Sequence, residues 1–231
     1  MPCKLSIIIP CLNEEANIEA TLKPLQTLRE RGHEIILGDA SSIDNTVTLA
    51  TPLCDKIISC EKGRAAQMNA GANEATGDIL CFIHADTLCP ENLDRIIIHE
   101  LKTTHYLWGR FNIKLSSSKP VFRLIESLIN IRSCITGIAS GDQGIFIYRH
   151  IFKRLSGYSP IPLMEDIEIS RRLKKISKPV CIKNRPLITS SRRWEKHGVL
   201  RTVLLMWTLR LKYFLGTPAE KLVTQYPQHD S

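Results

Sequence analysis

Ile83–His84–Ala85–Asp86 follows directly on an apolar run that begins at Asp78. An acid in that place leaves a buried strand at its carboxyl end, which is where ligands bind in open α/β sheets. An aspartate there, with a ligand-type side chain two residues earlier, is what a hard divalent cation on a diphosphate needs. His84 itself is ambiguous: an imidazole can ligate a transition cation, but carboxylate and water suit Mg²⁺ better, and a strand-end histidine is often structural. Asp39 stands just past a second apolar run, Glu34–Leu37, and Asn13 just past a first, Leu5–Pro10. Acids at neighbouring strand ends point into one crevice, Asp39 toward a base or ribose and Asp86 toward a metal. Singly, each acid could simply cap the turn that follows it; together with Asn13 they favour a ligand site.

Three further stretches carry candidate chemistry. Lys62–Ala72 puts Arg64 and Gln67 at the opening of a helix of small residues, where a basic side chain and the helix dipole both favour phosphate. Small residues also permit close packing, so this signal has two explanations. Pro162–Lys175 sets Glu165 and Asp166 where a loop meets a helix. Acids there complement the dipole, and one of them could act as a general base toward a hydroxyl. Ser190–Gly198 holds Arg192 and Arg193 before Trp194; a guanidinium could neutralise a leaving diphosphate and the indole could stack on a sugar or acceptor.

The elements that must position these groups alternate. Strands are predicted at Leu5–Pro10, Glu34–Leu37, Lys56–Ser59 and Asp78–Ile83, with helices at Glu14–Arg31, Asp44–Ala50, Arg64–Glu74 and Pro90–Lys102. Asn13 is placed to cap the first helix, and Pro24 should kink or split it. Such alternation predicts a mostly parallel sheet covered on both faces. Beyond residue 102 the pattern changes. Trp108–Leu115, Gly144–Arg149 and Pro179–Lys183 read as strands, the first a candidate for antiparallel pairing. Val121–Ile135, Asp166–Ile176 and Val199–Leu215 read as helices, and Pro218 starts a short last one.

Composition narrows the partners. The 231 residues suit one domain and carry a net charge of +8. Residues 171–231 hold 14 Lys and Arg against 3 Asp and Glu, so the basic excess sits at the C-terminal end. That asymmetry suits a nucleotide diphosphate or an anionic lipid surface; no nucleic-acid-binding motif accompanies it. The 8 cysteines have irregular spacing and no C-x-x-C pair, so they read as free thiols in a reducing compartment. Leu5–Ile9 is too short for a signal peptide, and only 8 uncharged residues separate Arg201 from Arg210, against the ~20 needed to span a bilayer. A cytoplasmic protein is expected. In Val199–Leu215, Leu200, Leu204, Trp207 and Leu211 are apolar, Arg201, Thr208 and Lys212 lie near one face, and Arg210 on the opposite side would have to snorkel. Such a helix could lie on the inner face of a membrane, or pack on the domain or on a second copy of the chain.

These pieces occur in one order, and that order resembles the family 2 glycosyltransferases of the GT-A fold. SIIIPCLNEEANI looks like the family's opening strand, and EIILGDASSIDNT aligns with its acidic turn, so Asp39 and Asp44 match two family aspartates. HAD stands where the metal-binding D-x-D lies, GDQGIFIYR resembles the acceptor-side strand, MED carries the expected Glu–Asp pair, and RRW resembles the late arginine–tryptophan motif. The GRAAQMNAGA, FIHADT, GDQGIFI, PLMED and RRWEKHGVLRT stretches are together similar to a bacterial subgroup of that family, and the likeness runs over nearly the whole chain.

The resemblance implies a single Rossmann-like GT-A domain over 1–231: a nucleotide-binding half over 1–102, an acceptor-side half over 103–198 and C-terminal helices over 199–231. It implies an inverting, hexosyltransferase-like enzyme that moves a sugar from a nucleotide-diphosphate donor to a hydroxyl acceptor, with lipid-linked acceptors included in the class. Asp166 would be the base with Glu165 beside it. Pro10, Asn13, Glu14, Asp39, Asp44, Arg64, Asn69, Ala85, Arg193 and Trp194 would line the nucleotide-sugar site. Asp86, with His84, would hold Mg²⁺ or Mn²⁺. His84 in place of the first D-x-D acid leaves a second reading open, a sugar-nucleotide-binding protein with weak or lost transfer. A nucleotidyltransferase shares the architecture, but its glycine-rich phosphate loop has no counterpart at Pro10–Glu15.

Overall fold

The structure, a computed structural model, describes residues 3–226. Among these residues the strands are β1 (Leu5–Cys11), β2 (Glu34–Asp39), β3 (Lys56–Ser59), β4 (Ile79–Phe82), β5 (Thr87–Leu88), β6 (Trp108–Leu115), β7 (Phe146–Tyr148) and β8 (Val180–Thr189). The helices are α1 (Ile18–Leu22), α2 (Gln26–Glu30), α3 (Thr46–Ala50), α4 (Arg64–Glu74), α5 (Leu93–Thr104), α6 (Pro120–Thr136), α7 (Arg149–Arg154), α8 (Glu165–Lys174), α9 (Arg192–His197), α10 (Val199–Phe214) and α11 (Ala219–Val223).

The strands form one sheet in the order β3-β2-β1-β4-β7-β6-β8-β5. β3, β2, β1 and β4 run parallel, as a strand–helix alternation demands. β7 turns the direction, pairing antiparallel with β4 and with β6. β8 then runs parallel to β6, and the two-residue β5 closes the edge antiparallel to β8. Trp108–Leu115 is therefore antiparallel on one side only.

β1 shows why the parallel half reads as unbroken apolar sequence. Leu5, Ile7, Ile9 and Cys11 face one core, shared with α1, α2 and α5, while Ile8 faces the other, shared with α4, α7 and α8. A strand buried on both faces has no polar face to alternate with. Pro24 splits the first predicted helix into α1 and α2 through a short 3₁₀ turn, Lys23–Leu25. β8 runs on to Thr189, well beyond Lys183, because it crosses a bulge opposite Phe111 and Ile113 that takes up the polar stretch around Asn184 and Pro186. The 8 cysteines are free thiols.

At the amino-terminal edge of the sheet, Glu34 is buried. Its carboxylate accepts hydrogen bonds from Ser6 Oγ at 2.5 Å, the Thr76 N–H at 2.7 Å and the Gly77 N–H at 3.1 Å, with Lys4 Nζ 3.3 Å away. Burial alone would raise its pKa; these donors and the lysine outweigh it and bring the carboxyl from 4.5 down to about 2. A lowered folded-state value means stability that is present above the unfolded value and lost as pH falls through the folded one. The wild type is expected to lose roughly 3 kcal/mol between pH 4.5 and about 2 from this group. Glu34→Gln is expected to be destabilised at pH 7 by a similar amount and to show a flatter acid limb. Urea melts across that pH range check both, and parallel acid limbs would contradict the assignment.

Candidate functional site

The parallel strands bring their carboxyl ends to one edge, and α4 holds that edge together. Gln67 Nε2 donates to Cys11 O at 2.6 Å and to Gly38 O at 3.1 Å, joining the ends of β1 and β2. Position 38 must be glycine for this: a Cβ there would lie 2.6 Å from the Gln67 carbonyl oxygen. The buried Ala65 and Ala72 show that the small residues of α4 serve packing, while Arg64 stands at its open end.

The loops after β1 and β2 are stitched to each other. Asn13 takes a left-handed conformation (φ 51°); its N–H donates to Ser42 Oγ at 2.9 Å and its Oδ1 accepts from the Ile43 N–H at 2.9 Å. Asn13 is thus not a helix cap, because α1 starts only at Ile18, after Asn17. Pro10 is buried within β1. Asp39 is buried and accepts from Ser42 Oγ at 2.6 Å and the Ser42 N–H at 3.1 Å, so it shapes the turn that leaves β2. Asp44 accepts from the Thr46 N–H at 3.0 Å and the Glu15 N–H at 3.1 Å and sets the start of α3. The slight burial of Asp44 would raise its pKa; these hydrogen bonds, with that of Thr46 Oγ1, lower it.

The loop after β4 carries the chemistry. His84 Nδ1 lies 3.0 Å from Asp142 Oδ1, and its side chain is only 11% exposed. Asp142 belongs to the Gly141–Gln143 turn, and a Cβ at position 141 would come within 2.7 Å of His84 Nε2, so glycine is what admits the imidazole. The Gly141 N–H in turn donates to Asp166 Oδ2 at 2.9 Å, and the Ile167 N–H to Asp166 Oδ1 at 2.7 Å. One short turn therefore links the β4 loop to the first turn of α8. His84, Gly141, Glu165 and Asp166 line a common cleft whose apolar wall includes Phe82 and Tyr158.

The charges in this cleft are unbalanced. Burial pushes the Asp86 carboxyl up, and the Asp142 charge adds to that; His84 and Arg64 pull the other way without winning. Glu14 is likewise raised by burial and by Asp86, despite Asn17 and an Arg192 guanidinium 3.9 Å away. Glu165 is buried and raised by that burial and by the neighbouring Asp166. Asp142 goes the opposite way: partial enclosure opposes its charge, but the His84 hydrogen bond and the charges of His84, Arg64 and Arg193 hold it well below the usual carboxylate range. Arg193 is pushed down by burial and by Arg64, with Asp142 and Asp86 opposing, and its guanidinium stacks on Tyr226 4.5 Å from the ring centre.

Arg64, His84, Asp86, Glu165, Asp166 and Arg193 therefore converge, and Glu14 joins them at the rim. Asp142 joins as well; GDQG was visible as a motif, but nothing in its spacing tied that acid to His84. Two expected nucleotide-site residues have partners within the fold. Both ends of the Asn69 amide bond the Tyr158 backbone, at 2.8 and 2.9 Å. Trp194 is half-buried and packs against the cluster of Leu115, Phe122 and Ile125, with Val199 beside it. Ala85 is buried, and its carbonyl accepts from Thr21 Oγ1 at 2.6 Å.

Among the described residues no group of three His, Cys, Asp or Glu side chains forms a closed metal cage. Asp86 still fits a hard cation that takes its other oxygens from a ligand, because a desolvated carboxylate short of positive charge is what such a cation relieves, and Asp142 adds a second carboxylate nearby.

A family model described as "Glycosyl transferase family 2" matches residues 6–153. A "Probable glycosyltransferase YdaM" of Bacillus subtilis is 27% identical over 201 residues, covering 74% of this chain and 46% of that one. An "Undecaprenyl-phosphate 4-deoxy-4-formamido-L-arabinose transferase" of Yersinia pestis is 25% identical over 169 residues, covering 66% of this chain and 51% of that one. The chain thus spans about half the length of the curated relatives it matches. The solved mannosyltransferase PcManGT of Pyrobaculum calidifontis, in complex with GDP-Man and Mn²⁺, shares the fold with a TM-score of 0.63. It is 18% identical, covering 82% of this chain and 57% of that one.

Proposed function

The chain belongs to glycosyl transferase family 2, and from that premise we propose that it is an inverting glycosyltransferase acting from a nucleotide-diphosphate sugar on a hydroxyl acceptor. The observation that carries this reading is the convergence of Arg64, Asp86, Asp142, Asp166 and Arg193 at the carboxyl edge of the sheet. The donor lies across the β1, β2 and β4 loops of the 1–102 half, with Asn13, Glu14 and Asp39 at the nucleotide and Arg64 and Arg193 at the diphosphate. The 103–198 half brings the acceptor to Asp166.

Asp166 takes the proton from the acceptor hydroxyl. The freed oxygen pair forms the new bond at the anomeric carbon, from the face opposite the diphosphate. The old carbon–oxygen bond breaks and its electron pair leaves on the diphosphate, whose growing charge Arg64 and Arg193 stabilise. The two backbone N–H bonds to Asp166 hold its carboxylate in one orientation, as a base positioned toward a hydroxyl requires. Asp86 and Asp142 would hold Mg²⁺ or Mn²⁺, a choice supported by the Mn²⁺ of PcManGT, and a bound ion would supply further positive charge to the leaving diphosphate. His84 orients Asp142 from behind.

The peripheral-membrane reading has its own support. Leu200, Leu204, Trp207, Leu211 and Leu215 are exposed along α10, between 59% and 78%. Leu124, Leu128, Ile131 and Ile135 of α6 are exposed in a second stripe of the same 3- and 4-residue spacing. The two helices meet, with Val199 packed against the cluster of Phe122 and Ile125, and Leu209 in one cluster with Ile138 just past the end of α6. α10 has no acid, and the one acid of α6, Glu126, is buried against Arg123. An apolar face with an indole and no exposed carboxylate suits an anionic lipid surface. No helix among the described residues is long and apolar enough to cross a membrane.

Two outcomes are expected. Asp166→Asn should lower the rate of nucleotide-diphosphate release from a matched donor and acceptor by about 100-fold or more while donor binding persists; equal turnover would remove Asp166 as the base. In flotation assays the full chain should rise with vesicles containing phosphatidylglycerol, and Leu204→Glu with Trp207→Glu should stay behind. A wild type that ignores those vesicles and sediments as a dimer broken by the same substitutions would assign this face to a second copy of the chain.

A further inference from the structure

Arg132 on α6 and Arg210 on α10 are half-buried and close enough for the charge of one to act on the other. Arg132 Nη2 and Arg210 Nε are both shut off from solvent without a hydrogen-bond partner. Among the described residues neither guanidinium makes a hydrogen bond or an ion pair. Burial pushes Arg132 down to about 9, the Arg210 charge pushes the same way, Asp166 opposes, and Arg110 adds to the fall. Arg110 is itself 1% exposed and its Nε also lacks a partner.

This is an unusual way to leave arginine. A guanidinium carries five N–H donors, and leaving a buried charged donor unmade is among the costlier defects of a folded chain. Three positive charges here meet one nearby negative charge, that of Asp166. The arrangement is not a loose surface cluster. Leu209, next to Arg210, packs on Ile138, Met164 and Ile167, so α10 is docked on the first turn of α8, which carries Asp166. An anion with one or two negative charges would balance the group from the part of each half-buried side chain that stays open to solvent. Phosphate matches both the fork geometry of arginine and the missing charge.

We propose that Arg132 and Arg210 form a binding site for a phosphate group carried by the acceptor, next to the hydroxyl that Asp166 deprotonates. This rests on the glycosyl-transfer reading above and names the acceptor class for it, a phosphate-bearing molecule. The phosphate binds and orients; it is not consumed. Its source is either a soluble phosphoester or a lipid headgroup, the second reached from the apolar faces of the same two helices.

The test is thermal stabilisation of the full chain by two probes that each carry a phosphate and a free hydroxyl, glycerol 3-phosphate and lysophosphatidylglycerol in detergent micelles, with monoacylglycerol as uncharged control. Wild type, Arg132→Gln/Arg210→Gln and Arg64→Gln are compared. At least one phosphate should stabilise the wild type and the monoacylglycerol should not. Its apparent affinity should fall tenfold or more in Arg132→Gln/Arg210→Gln and persist in Arg64→Gln, whose lesion is on the donor side. A response to glycerol 3-phosphate, with or without one to the lipid, assigns a soluble phosphoester; a response to lysophosphatidylglycerol alone assigns a lipid. Removing like charges should leave folding intact, and Arg210→Gln alone serves if the double variant melts early. No stabilisation by either phosphate, or an unchanged response in Arg132→Gln/Arg210→Gln, overturns the proposal. Stabilisation by nucleotide sugars and release of nucleotide diphosphate from them, followed in parallel, report on glycosyl transfer separately, so failure of the phosphate site and failure of the transfer reading are distinguishable.

Discussion

Everything at the site depends on α4 lying flat on the parallel strands. The Gln67 amide bonds the carbonyls that end β1 and β2, and Gly38 clears the space for that approach. With those strand ends brought level, Asn13, Glu14 and Asp39 leave the sheet at one edge, with the β4 loop beside them. The same helix sets Arg64 at the rim of that edge. A sheet that ended raggedly would scatter the same residues over separate loops.

The second half of the chain supplies what the first half lacks. β7 reverses direction beside β4, so the turn before it, Gly141–Gln143, returns to the carboxyl edge. From there Asp142 reaches His84 and the Gly141 N–H reaches Asp166. The result is a cleft with more carboxylate than its arginines balance near Asp86 and Glu14, and more arginine than its carboxylates balance near Arg132. Opposite imbalances on either side of Asp166 are what a site would present if a cation-bearing donor enters from one side and an anion-bearing acceptor from the other.

Much of this was legible in the sequence because buried parallel strands and helices announce themselves by period. The limits of β3 and α4, and the break at Pro24, follow from that alone. What was not legible depended on distant contacts. Asp142 is 58 residues from His84, and no local pattern pairs them. The polar stretch from Asn184 to Pro186 hid the far half of β8, which only its bulged pairing with β6 stabilises. β5, two residues long, has no period at all. The packing of Trp194 on the α6 cluster was not legible either, because an indole beside arginines serves a ligand or a core equally well. Arg210, expected to snorkel to solvent, is half-buried with its Nε shut off from water, because α10 turns Thr202 and Leu209 inward and leaves its leucine stripe outside.

The central claim is that Asp86 stands where a divalent cation meets a nucleotide diphosphate. The most direct measurement is a crystal structure of the full chain grown with Mn²⁺ and a nucleoside diphosphate, with anomalous data collected at the manganese edge. The account predicts one manganese peak bonded to the Asp86 carboxylate and to diphosphate oxygens, with the nucleoside lying over the β1 and β2 loops. A nucleotide bound away from the carboxyl edge of the sheet, or a manganese peak that leaves Asp86 untouched, would contradict it.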